Sequence, residues 1–532
     1  MAKKQKLELT WIGKNNPEYD IANIEPRILE ERKDLSYGDP DTENMIIHGD
    51  NLLALKALLP EYEGKVKCVY IDPPYNTGNA FDHYDDSVEH STWLSLMKPR
   101  LELLRMLLHP EQGSIWISID DDERDYLKIL CDQVFGRNDY VASVIWEKKH
   151  TRANDARWFS DNHDYILVYA TNKSVWQRNL LPRPEEEGGY SNPDNDPRGP
   201  WGSQPIQVKT PSKKCIYEIT GPTGKEFWPP KGRSWQFGIE RYNELVRDKR
   251  IWFGEDGSNV PRIKKFLSEV KQGIVPLTIW PREEVGDNQD AKAEMKVLFP
   301  DDSFGTPKPE RLLNRIFDLS TKPGDIVLDS FLGSGTTTAV AHKMERKYIG
   351  IEMGEHAYSH VHKRMKKVID GNDRLKLSET LGWKGGGGFK FYELAPSFVT
   401  IDEFGNPVID SYYNDTKLIR AMCKLMNYTF SPSPKDYWKQ GRGQGNNSIY
   451  VTTQMLSVAM VQQIVRHLSP NETLLICPKK FEPGCEKVDT RVTIKKIPQS
   501  ILKACHYGKK EYLLPIKERA IEEIDEEDLT DE

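Results

Sequence analysis

Short apolar runs alternate with longer amphipathic segments along residues 44–146. Four apolar runs predict buried strands, at 45–48, 66–71, 114–119 and 140–146. Three segments between them have the length and apolar spacing of helices, at 51–59, 91–108 and about 122–135. Strands that alternate with helices of about ten or more residues indicate βαβ units around a mainly parallel sheet. This part of the chain therefore predicts an α/β fold.

The alternation stops near residue 150 and resumes at 307. Residues 150–300 are rich in Pro, Gly, Trp and charge, with short strands such as 164–170, and they predict a separate domain or a long insertion. Further helices and strands are predicted beyond it, at 309–320, 325–329, 337–344, 347–352, from 355 and at 385–392. The predicted α/β unit is thus split into two halves by the insertion.

The pattern predicts five segments. They are an N-terminal extension over 1–43, a first α/β half over 44–149, the insertion over 150–300, a second half over 301–395 and a C-terminal α+β domain over 396–532. Residues 518–532 carry nine acids and one base, which predicts a disordered acidic tail.

The composition is that of a globular protein, with 38% hydrophobic and 29% charged residues among 532. No apolar run approaches the roughly 20 residues that span a bilayer, and the basic start of the chain has no apolar core. We therefore expect neither a membrane segment nor a secretory signal. The seven cysteines are scattered, without a CxxC pair, at 68, 131, 215, 423, 477, 485 and 505. This pattern favours a reducing cytoplasm and argues against a structural zinc site.

The net charge of −7 is concentrated in the acidic tail. Subtracting the −8 of the tail from −7 leaves +1 for the rest of the chain. Residues 205–250 hold ten Lys or Arg against five Asp or Glu, a balance of +5. Aromatic side chains lie among them, including Phe227, Trp228, Trp235 and Tyr242. Such a stretch suits a nucleic-acid partner, and a solvated surface over core aromatics is the alternative.

The predicted strand at 66–71 ends on a rigid acidic motif. The motif is Asp72-Pro73-Pro74-Tyr75, and a sharp turn is predicted after it, over 76–78. The two prolines fix φ and remove two N–H donors, so the carbonyl of Pro73 cannot join a helical turn. A carboxylate, a rigid carbonyl and an aromatic face are thereby left together at the carboxyl end of a strand. In open α/β sheets, ligands bind at this end.

The second half contains DSFLGSGTTT at 329–338, where a predicted strand meets a helix through a Gly-rich turn. Gly333 and Gly335 allow the backbone to approach a ligand closely. The GK[ST] of a Walker phosphate loop is missing, and the GxGxxG pyrophosphate pattern is not matched. Glu352 ends the next strand, where an acid can accept both hydroxyls of a ribose. This arrangement predicts a nucleoside ligand without a phosphate chain, such as S-adenosylmethionine, and a plain tight turn is the alternative.

These two motifs, with a basic region between them, resemble the amino-group DNA methyltransferases of the permuted β class. DPPYNTGN at 72–79, FSDNHDYILVYA at 159–170 and VTIKKIPQSIL at 492–502 resemble the modification subunit of type III restriction–modification systems. The resemblance implies a Rossmann-like class I methyltransferase fold, circularly permuted, with a target-recognition domain inserted at 150–300. It covers about 44–170 and 305–395, and residues 396–532 resemble type III subunits only loosely.

For the first, catalytic half, the resemblance implies that the Asp72 carboxylate and the Pro73 carbonyl accept hydrogen bonds from the exocyclic amine of adenine. Pro74 completes the rigid motif, and Tyr75 would stack on the base. These bonds would point the lone pair of the amine at the methyl group and stabilise the positive charge that develops on nitrogen. Cysteine is absent from the motif, which argues against methylation of carbon 5 of cytosine.

For the second half, the resemblance implies a binding site for S-adenosyl-L-methionine. The Gly-rich turn would surround the methionine part, through Asp329, Phe331, Gly333 and Gly335, with Thr336 beside them. Glu352 would hold the ribose, and Asp50 would contact the adenine ring of the cofactor. Lys308 and Pro309 would pack over the methionine carboxylate. Ser330 departs from the family pattern, in which Pro is commoner at this position.

Three further positions each allow two interpretations. Asp50 can be a plain N-cap of the helix at 51–59. The acids at 120–122 could suggest a metal ion, but acids that open a helix are more often caps, so we expect no metal. His163 can be a structural or base-lining residue, or it can be catalytic.

The sequence predicts a site-specific, adenine-specific DNA methyltransferase that acts on the N6 amine of a flipped adenine in double-stranded DNA. Residues 150–300 are expected to read the DNA sequence, because flipping costs a few kcal/mol that DNA contacts must offset. We also expect a homodimer and a separate restriction subunit that carries the helicase and nuclease. Two alternatives remain: a methyltransferase for RNA or protein glutamine, and a non-catalytic DNA-specificity module of a restriction complex.

Overall fold

The structure is a computed structural model of the chain. It describes residues 8–25, 27–76, 89–152, 156–182, 189–270, 273–301, 304–397, 399–401, 407–409, 412 and 415–497. The chain forms two compact units, one within residues 1–179 and 277–532 and the other over Leu180–Pro276. The predicted turn beyond Asn76 and the predicted acidic tail at 518–532 lie outside the described residues.

From Met45 onward the first part of the chain alternates strands and helices as the apolar pattern predicts. Two short strands precede Met45, within the predicted N-terminal extension. In chain order the elements are β1 (Leu29–Glu31), β2 (Tyr37–Gly38), β3 (Met45–His48), α1 (Asn51–Tyr62), β4 (Cys68–Ile71), α2 (His90–Leu107), β5 (Ser114–Ile119), α3 (Arg124–Cys131), β6 (Tyr140–Glu147) and β7 (His163–Ala170). The helix predicted over about 122–135 is shorter, because α3 ends at Cys131 and continues as a π-helical turn over Asp132–Gly136.

The second compact unit, Leu180–Pro276, consists of short strands and one helix. They are β8 (Trp201–Pro205), β9 (Gln207–Val208), β10 (Ile219–Thr220), β11 (Glu226–Phe227), β12 (Ser234–Trp235), α4 (Ile239–Arg247), β13 (Ile251–Trp252) and β14 (Arg262–Phe266). Phe227, Trp235 and Tyr242 belong to its buried core, together with Ile206. Trp228 is 56% exposed. Of the four aromatics named above from the basic stretch, three are therefore core residues, as the alternative interpretation proposed.

The chain returns to the first unit with a second series of elements. They are β15 (Ile279–Trp280), α5 (Arg282–Val285), α6 (Asn288–Leu298), α7 (Glu310–Ser320), β16 (Ile326–Asp329), α8 (Thr336–Lys343), β17 (Lys347–Glu352), α9 (Lys363–Ile369), α10 (Lys376–Leu381) and β18 (Gly388–Leu394). A π-helical turn over Ala357–His362 precedes α9.

Both halves contribute strands to one sheet, in the order β1-β18-β3-β17-β16-β4-β5-β7-β6-β15. The six strands from β18 to β5 run parallel to one another, β1 is antiparallel to β18, and β7 is antiparallel to both β5 and β6. Strands β16 and β17 of the second half lie between β3 and β4 of the first half. The predicted α/β fold with two interleaved halves and a mainly parallel sheet is confirmed.

The insertion predicted over 150–300 is wider than the compact unit Leu180–Pro276. The strand predicted at 164–170 was placed in the insertion, but it is β7 of the main sheet. The reason is pairing: β7 fills the space between β5 and β6, and its apolar residues are buried on both faces.

The C-terminal region forms a second, mixed sheet. Its elements, with the short pair that precedes it, are β19 (Val399–Ile401), β20 (Pro407–Ile409), α11 (Asp415–Leu425), β21 (Thr429–Phe430), β22 (Gly441–Arg442), β23 (Asn447–Leu456), α12 (Val458–His467), β24 (Thr473–Phe481) and β25 (Val492–Ile494). The strand order is β21-β22-β23-β24-β25, and α11 and α12 pack on it through separate apolar clusters. Across the described stretches, every helix is too short or too polar to cross a bilayer.

Candidate active site

The predicted site residues lie at one edge of the sheet. Asp72 directly follows β4, Asp329 ends β16, and Glu352 ends β17. These strands are parallel neighbours, so their carboxyl ends share an edge. The sheet therefore brings together the rigid acidic motif of the first half and the Gly-rich turn of the second.

Several hydrogen bonds hold the rigid acidic motif in place. The Tyr75 hydroxyl donates to Asp72 Oδ1 at 2.9 Å, and Trp93 Nε1 donates to the Pro74 carbonyl at 2.9 Å. Burial raises the pKa of Tyr75, and the Asp72 carboxylate adds to the effect, so the hydroxyl stays a donor near neutral pH. Among the described residues, none donates a hydrogen bond to the Pro73 carbonyl. This rigid acceptor is thus available to an incoming N–H group.

Lys308 connects the two halves of the site. Its Nζ lies 2.5 Å from Asp72 Oδ2 and 5.2 Å from the centre of the Tyr75 ring. Both partners of the ion pair are mostly buried, with 12% of the Lys308 side chain and 22% of the Asp72 side chain exposed. The sequence predicted Lys308 over a cofactor carboxylate and gave no sign that it pairs with Asp72.

A second carboxylate lies beside the acidic motif. Asp164, at the start of β7, has Oδ2 3.5 Å from the Tyr75 hydroxyl. Lys148 donates to Asp164 Oδ1 at 2.7 Å and lies 2.9 Å from Asp161 Oδ2. Burial raises the pKa of Asp164 although Lys148 opposes the change. Sequence reasoning missed Asp164 and Lys148, and the available signal was an acid at the start of an otherwise apolar strand.

The Gly-rich turn is held by Asp329, which is buried. Its Oδ1 accepts from the Phe331 N–H at 2.9 Å, and its Oδ2 accepts from Thr337 Oγ1 at 2.5 Å. Burial raises the pKa of Asp329 to about 7. Gly335 has φ of +79°, and a Cβ there would meet Val361 at 3.4 Å. A residue with a side chain at position 335 would therefore be strained by this left-handed backbone conformation.

Glu352 closes the other side of this turn. Its carboxylate accepts from the N–H groups of Gly333 at 2.7 Å and Gly354 at 2.8 Å, and it lies 2.9 Å from His356 Nε2. Burial favours a raised pKa, but the hydrogen bond and charge of His356 and the two N–H groups lower the pKa of Glu352 below its usual value. The predicted ribose acid is thus an ionised carboxylate in direct contact with the Gly-rich turn.

A buried charge network supports the end of the turn. Thr336 Oγ1 donates to the Lys308 carbonyl at 3.2 Å and accepts from Arg364 Nη1 at 2.9 Å. Arg364 Nη2 also donates to Glu310 at 2.9 Å, and Lys343 Nζ donates to the other oxygen of Glu310 at 2.5 Å. The predicted residues Lys308, Pro309 and Thr336 are therefore connected through the start of α7.

Asp50 is the N-cap of α1, as one interpretation proposed. Its carboxylate accepts from the backbone N–H groups of Leu52 at 2.9 Å and Leu53 at 3.2 Å, and Arg100 Nη2 donates to it at 3.2 Å. Arg100 also donates to Asn51, whose side-chain amide donates to the Ser330 carbonyl at 2.7 Å. This buried chain of contacts connects Asp50 with the Gly-rich turn, and its predicted contact with a cofactor stays a prediction.

The remaining candidates are peripheral. Asp120 Oδ1 accepts from the Asp122 N–H at 3.1 Å, and burial raises the pKa of Asp120 to about 7. Within the described stretches, His, Cys, Asp and Glu form no cluster of three or more that could hold a metal ion. The His163 ring packs edge-on against Tyr165, with 4.9 Å between ring centres.

One protein-family comparison covers the site. The N6/N4 methyltransferase family model, described as DNA methylase, matches residues 66–363, more than half of the chain. This range includes the acidic motif, Lys308, the Gly-rich turn and Glu352.

Individual relatives extend the similarity beyond the matched family range. A Haemophilus influenzae protein named as probable type III restriction-modification enzyme HindVI Mod subunit is 33% identical over 76% of this chain and 60% of its own length. The StyLTI Mod subunit of Salmonella typhimurium is 33% identical over 60% of this chain and 51% of its own length. These similarities confirm the resemblance that the motifs predict. The chain thus spans half to three fifths of the lengths of these two relatives.

One solved structure among the matches is the PvuII DNA methyltransferase, described as cytosine-N4-specific. It is 14% identical, with a TM-score of 0.36, and the alignment covers 68% of this chain and 93% of that chain.

Proposed function

Because the chain belongs to the DNA methylase family, we propose that it is a site-specific DNA methyltransferase that uses S-adenosyl-L-methionine and methylates the N6 amine of a flipped adenine. The observation that carries the proposal is the contact between Asp72 and Lys308 at 2.5 Å. This ion pair joins Asp72, the predicted acceptor of hydrogen bonds from the target amine, to Lys308, which precedes the Gly-rich turn in the second half of the chain. The relatives named as Mod subunits support modification within a type III system.

The acceptor chemistry follows from Asp72 and Pro73. The bound cofactor supplies a methyl group on a sulfonium, which is already an activated donor. The two acceptors receive the N–H groups of the target amine, which turns its lone pair out of conjugation with the ring and toward the methyl carbon. The carboxylate would stabilise the positive charge that grows on nitrogen as the new C–N bond forms. The methyl–sulfur bond would break at the same time and leave a neutral thioether, and the methylated nitrogen would then lose one proton to solvent. Tyr75 orients the base, and no covalent intermediate on the protein is needed.

The cofactor contacts follow from the Gly-rich turn and its neighbours. The ionised Glu352 would accept the ribose hydroxyls, and Phe331 would contact the cofactor with its ring. Lys308 would bind the methionine carboxylate. Lys308 is paired with Asp72 in this structure. The methionine carboxylate of the cofactor would therefore draw the Lys308 ammonium away from Asp72 and leave Asp72 Oδ2 free to accept from the target amine. Cofactor binding would thus prepare the acceptor site.

DNA recognition is assigned to residues 150–300, which include the compact unit Leu180–Pro276. Three lysines on its surface are exposed and suited to phosphate contacts, at Lys209, Lys213 and Lys214. Homodimerisation and binding of a separate restriction subunit complete the proposal.

The direct test offers labelled S-adenosylmethionine together with plasmid DNA, total RNA or cell protein to the purified chain. The proposal expects label in DNA only, as N6-methyladenine, at one short sequence that nucleotide-resolution sequencing identifies. Label in RNA or protein would favour the first alternative. Label only as N4-methylcytosine would contradict the choice of adenine, and DNA binding without methyl transfer would favour a specificity module.

A further inference from the structure

The hairpin of β6 and β7 projects from the edge that carries Asp72. Ile119, at the carboxyl end of β5, pairs with Tyr165, so β7 begins at that edge. Two bonds extend the hairpin beyond β6, from the Lys148 N–H to the Asn162 carbonyl at 2.9 Å and from the Asn162 side chain to the Lys149 carbonyl at 2.8 Å. The described residues 149–152 and 156–162 therefore lie next to this end of the hairpin, beside the proposed acceptor site.

This segment presents the two most exposed aromatic side chains of the described residues. Phe159 is 92% exposed and Trp158 is 78% exposed. The Arg157 guanidinium lies 4.9 Å from the centre of the Trp158 ring. Exposure of two adjacent aromatic side chains to water costs free energy, and an exposed apolar patch of this kind marks an interaction surface.

The base of the segment is rigidly connected to the acceptor motif. Lys148 bridges Asp161 at 2.9 Å and Asp164 at 2.7 Å, and Asp164 lies 3.5 Å from the Tyr75 hydroxyl. Phe159 is five residues before Asp164, which limits their Cα separation to about 18 Å. The chain therefore keeps Phe159 within about 18 Å of Asp164, which lies beside the proposed acceptor motif.

The charged residues near the aromatic pair indicate which ligand binds this surface. Three basic residues accompany the pair in sequence, Lys149, Arg152 and Arg157, against the two acids Asp155 and Asp161, and Lys148 pairs with Asp161 as well as with Asp164. Basic side chains beside exposed aromatic faces match a phosphate backbone next to stacked bases. Duplex DNA fits this surface better than an apolar protein face does.

We propose that Trp158 and Phe159 form a wedge that enters the base stack of duplex DNA when the target nucleotide rotates out. This inference rests on the proposed function. One ring fills the space that the departing base leaves and stacks on its neighbours, which offsets the cost of unstacking. The basic residues hold the adjoining phosphates.

The test compares Trp158→Ala, Phe159→Ala and the double variant with Tyr437→Ala, an exposed aromatic of the C-terminal region. Each is assayed by kcat/KM on a duplex with the sequence identified for the wild type. A second duplex carries a mismatched partner opposite the target base, which lowers the cost of flipping. Calorimetric cofactor binding verifies that each variant is folded.

Removal of an aromatic stacking partner costs about 5- to 150-fold in affinity for nucleic acid. We expect the wedge variants to lose about tenfold or more on the paired duplex and to recover most of that loss on the mismatched duplex, while Tyr437→Ala matches the wild type. Fluorescence of 2-aminopurine at the target position should rise less with the double variant than with the wild type.

Two results would overturn the wedge. One is full activity of the double variant on the paired duplex. This result counts against the wedge even if the double variant no longer binds a protein partner. The other is an equal loss on both duplexes, which would indicate general DNA binding. Absence of DNA methylation by the wild type would instead refute the proposed function, on which the wedge depends.

Discussion

Replacement of Asp329 by Asn should make the fold more stable at alkaline pH than the wild type. Asp329 is only 2% exposed, and burial, together with the carboxylates of Asp72 and Glu352, raises its pKa to about 7. Asparagine keeps the shape: its oxygen can accept from the Phe331 N–H, and its amide can donate to the Thr337 hydroxyl. The variant therefore removes a buried charge with little change in packing.

The size of the effect follows from linkage between protonation and folding. The pKa of Asp329 is raised above the value of about 3.9 in the unfolded chain, so the protonated group stabilises the fold. This stabilisation is complete below pH 4 and is lost as the pH rises through about 7. The pKa values of Asp329 in the unfolded and the folded chain are roughly three pH units apart. Each unit changes the free energy of unfolding by about 1.36 kcal/mol, so the total change is up to about 4 kcal/mol. Asp329→Asn should thus resemble the wild type near pH 4 and exceed it by up to this amount at pH 8.

The assay is urea unfolding of the cofactor-free protein, followed by circular dichroism, at intervals from pH 4 to 8. Asp120, whose pKa is also raised to about 7, titrates in the same window, so the difference between variant and wild type is the informative quantity. Asp301→Asn, at an exposed aspartate of the same half, is the matched control. Parallel curves for Asp329→Asn and wild type across this range would refute the reasoning.

Three further predictions concern the cofactor side and the insertion. Lys308→Met should weaken S-adenosylmethionine binding about tenfold or more in calorimetry, because a charge-assisted hydrogen bond contributes about 1.5–3 kcal/mol. Lys308→Arg should retain most of the affinity, and wild-type affinity in Lys308→Met would contradict the contact with the carboxylate. Arg364→Met should lower stability by about 1.5–3 kcal/mol in urea unfolding, because Glu310 loses one charge-assisted hydrogen bond and keeps its pairing with Lys343. Exchange of residues 150–300 for those of a related enzyme should move methylation to a new sequence, as sequencing of DNA from expressing cells would detect, and an active chimera with the original specificity would redirect attention to residues beyond 396.

The apolar pattern predicted the inner strands of the main sheet, because both faces of a parallel sheet are covered, and it did not predict the short strands β1, β2 and β15. All six residues of Ser114–Ile119 and all four of Cys68–Ile71 are buried, so a continuous apolar run identifies them. The strand at His163–Ala170 has the same signal, but its place in the sheet depends on pairing with distant strands. Local sequence therefore predicted the strand and assigned it to the wrong part of the fold.

The sequence predicted the parts of the candidate site in which a contiguous motif fixes the backbone. It did not predict the contacts between side chains that are far apart in sequence. The acidic motif and the Gly-rich turn are contiguous in sequence, and the sheet brings them together as expected. The ion pair of Asp72 with Lys308 joins residues 236 positions apart, and no local pattern encodes it. Likewise, the basic stretch could not reveal that Trp235 points into a core, because composition carries no information on side-chain direction.

The most direct test of the central claim is the rate of methyl transfer to DNA by Asp72→Ala. The variant removes one of the two proposed acceptors for the target amine and leaves the Pro73 carbonyl and the cofactor turn in place. Single-turnover transfer from labelled S-adenosylmethionine, at saturating cofactor and duplex, should fall by about 10²–10³-fold or more, the loss expected when a preorganised electrostatic contact is removed. DNA affinity, measured by fluorescence anisotropy, should change little. Near-normal transfer by Asp72→Ala would contradict the role of Asp72 and the acceptor site built on it.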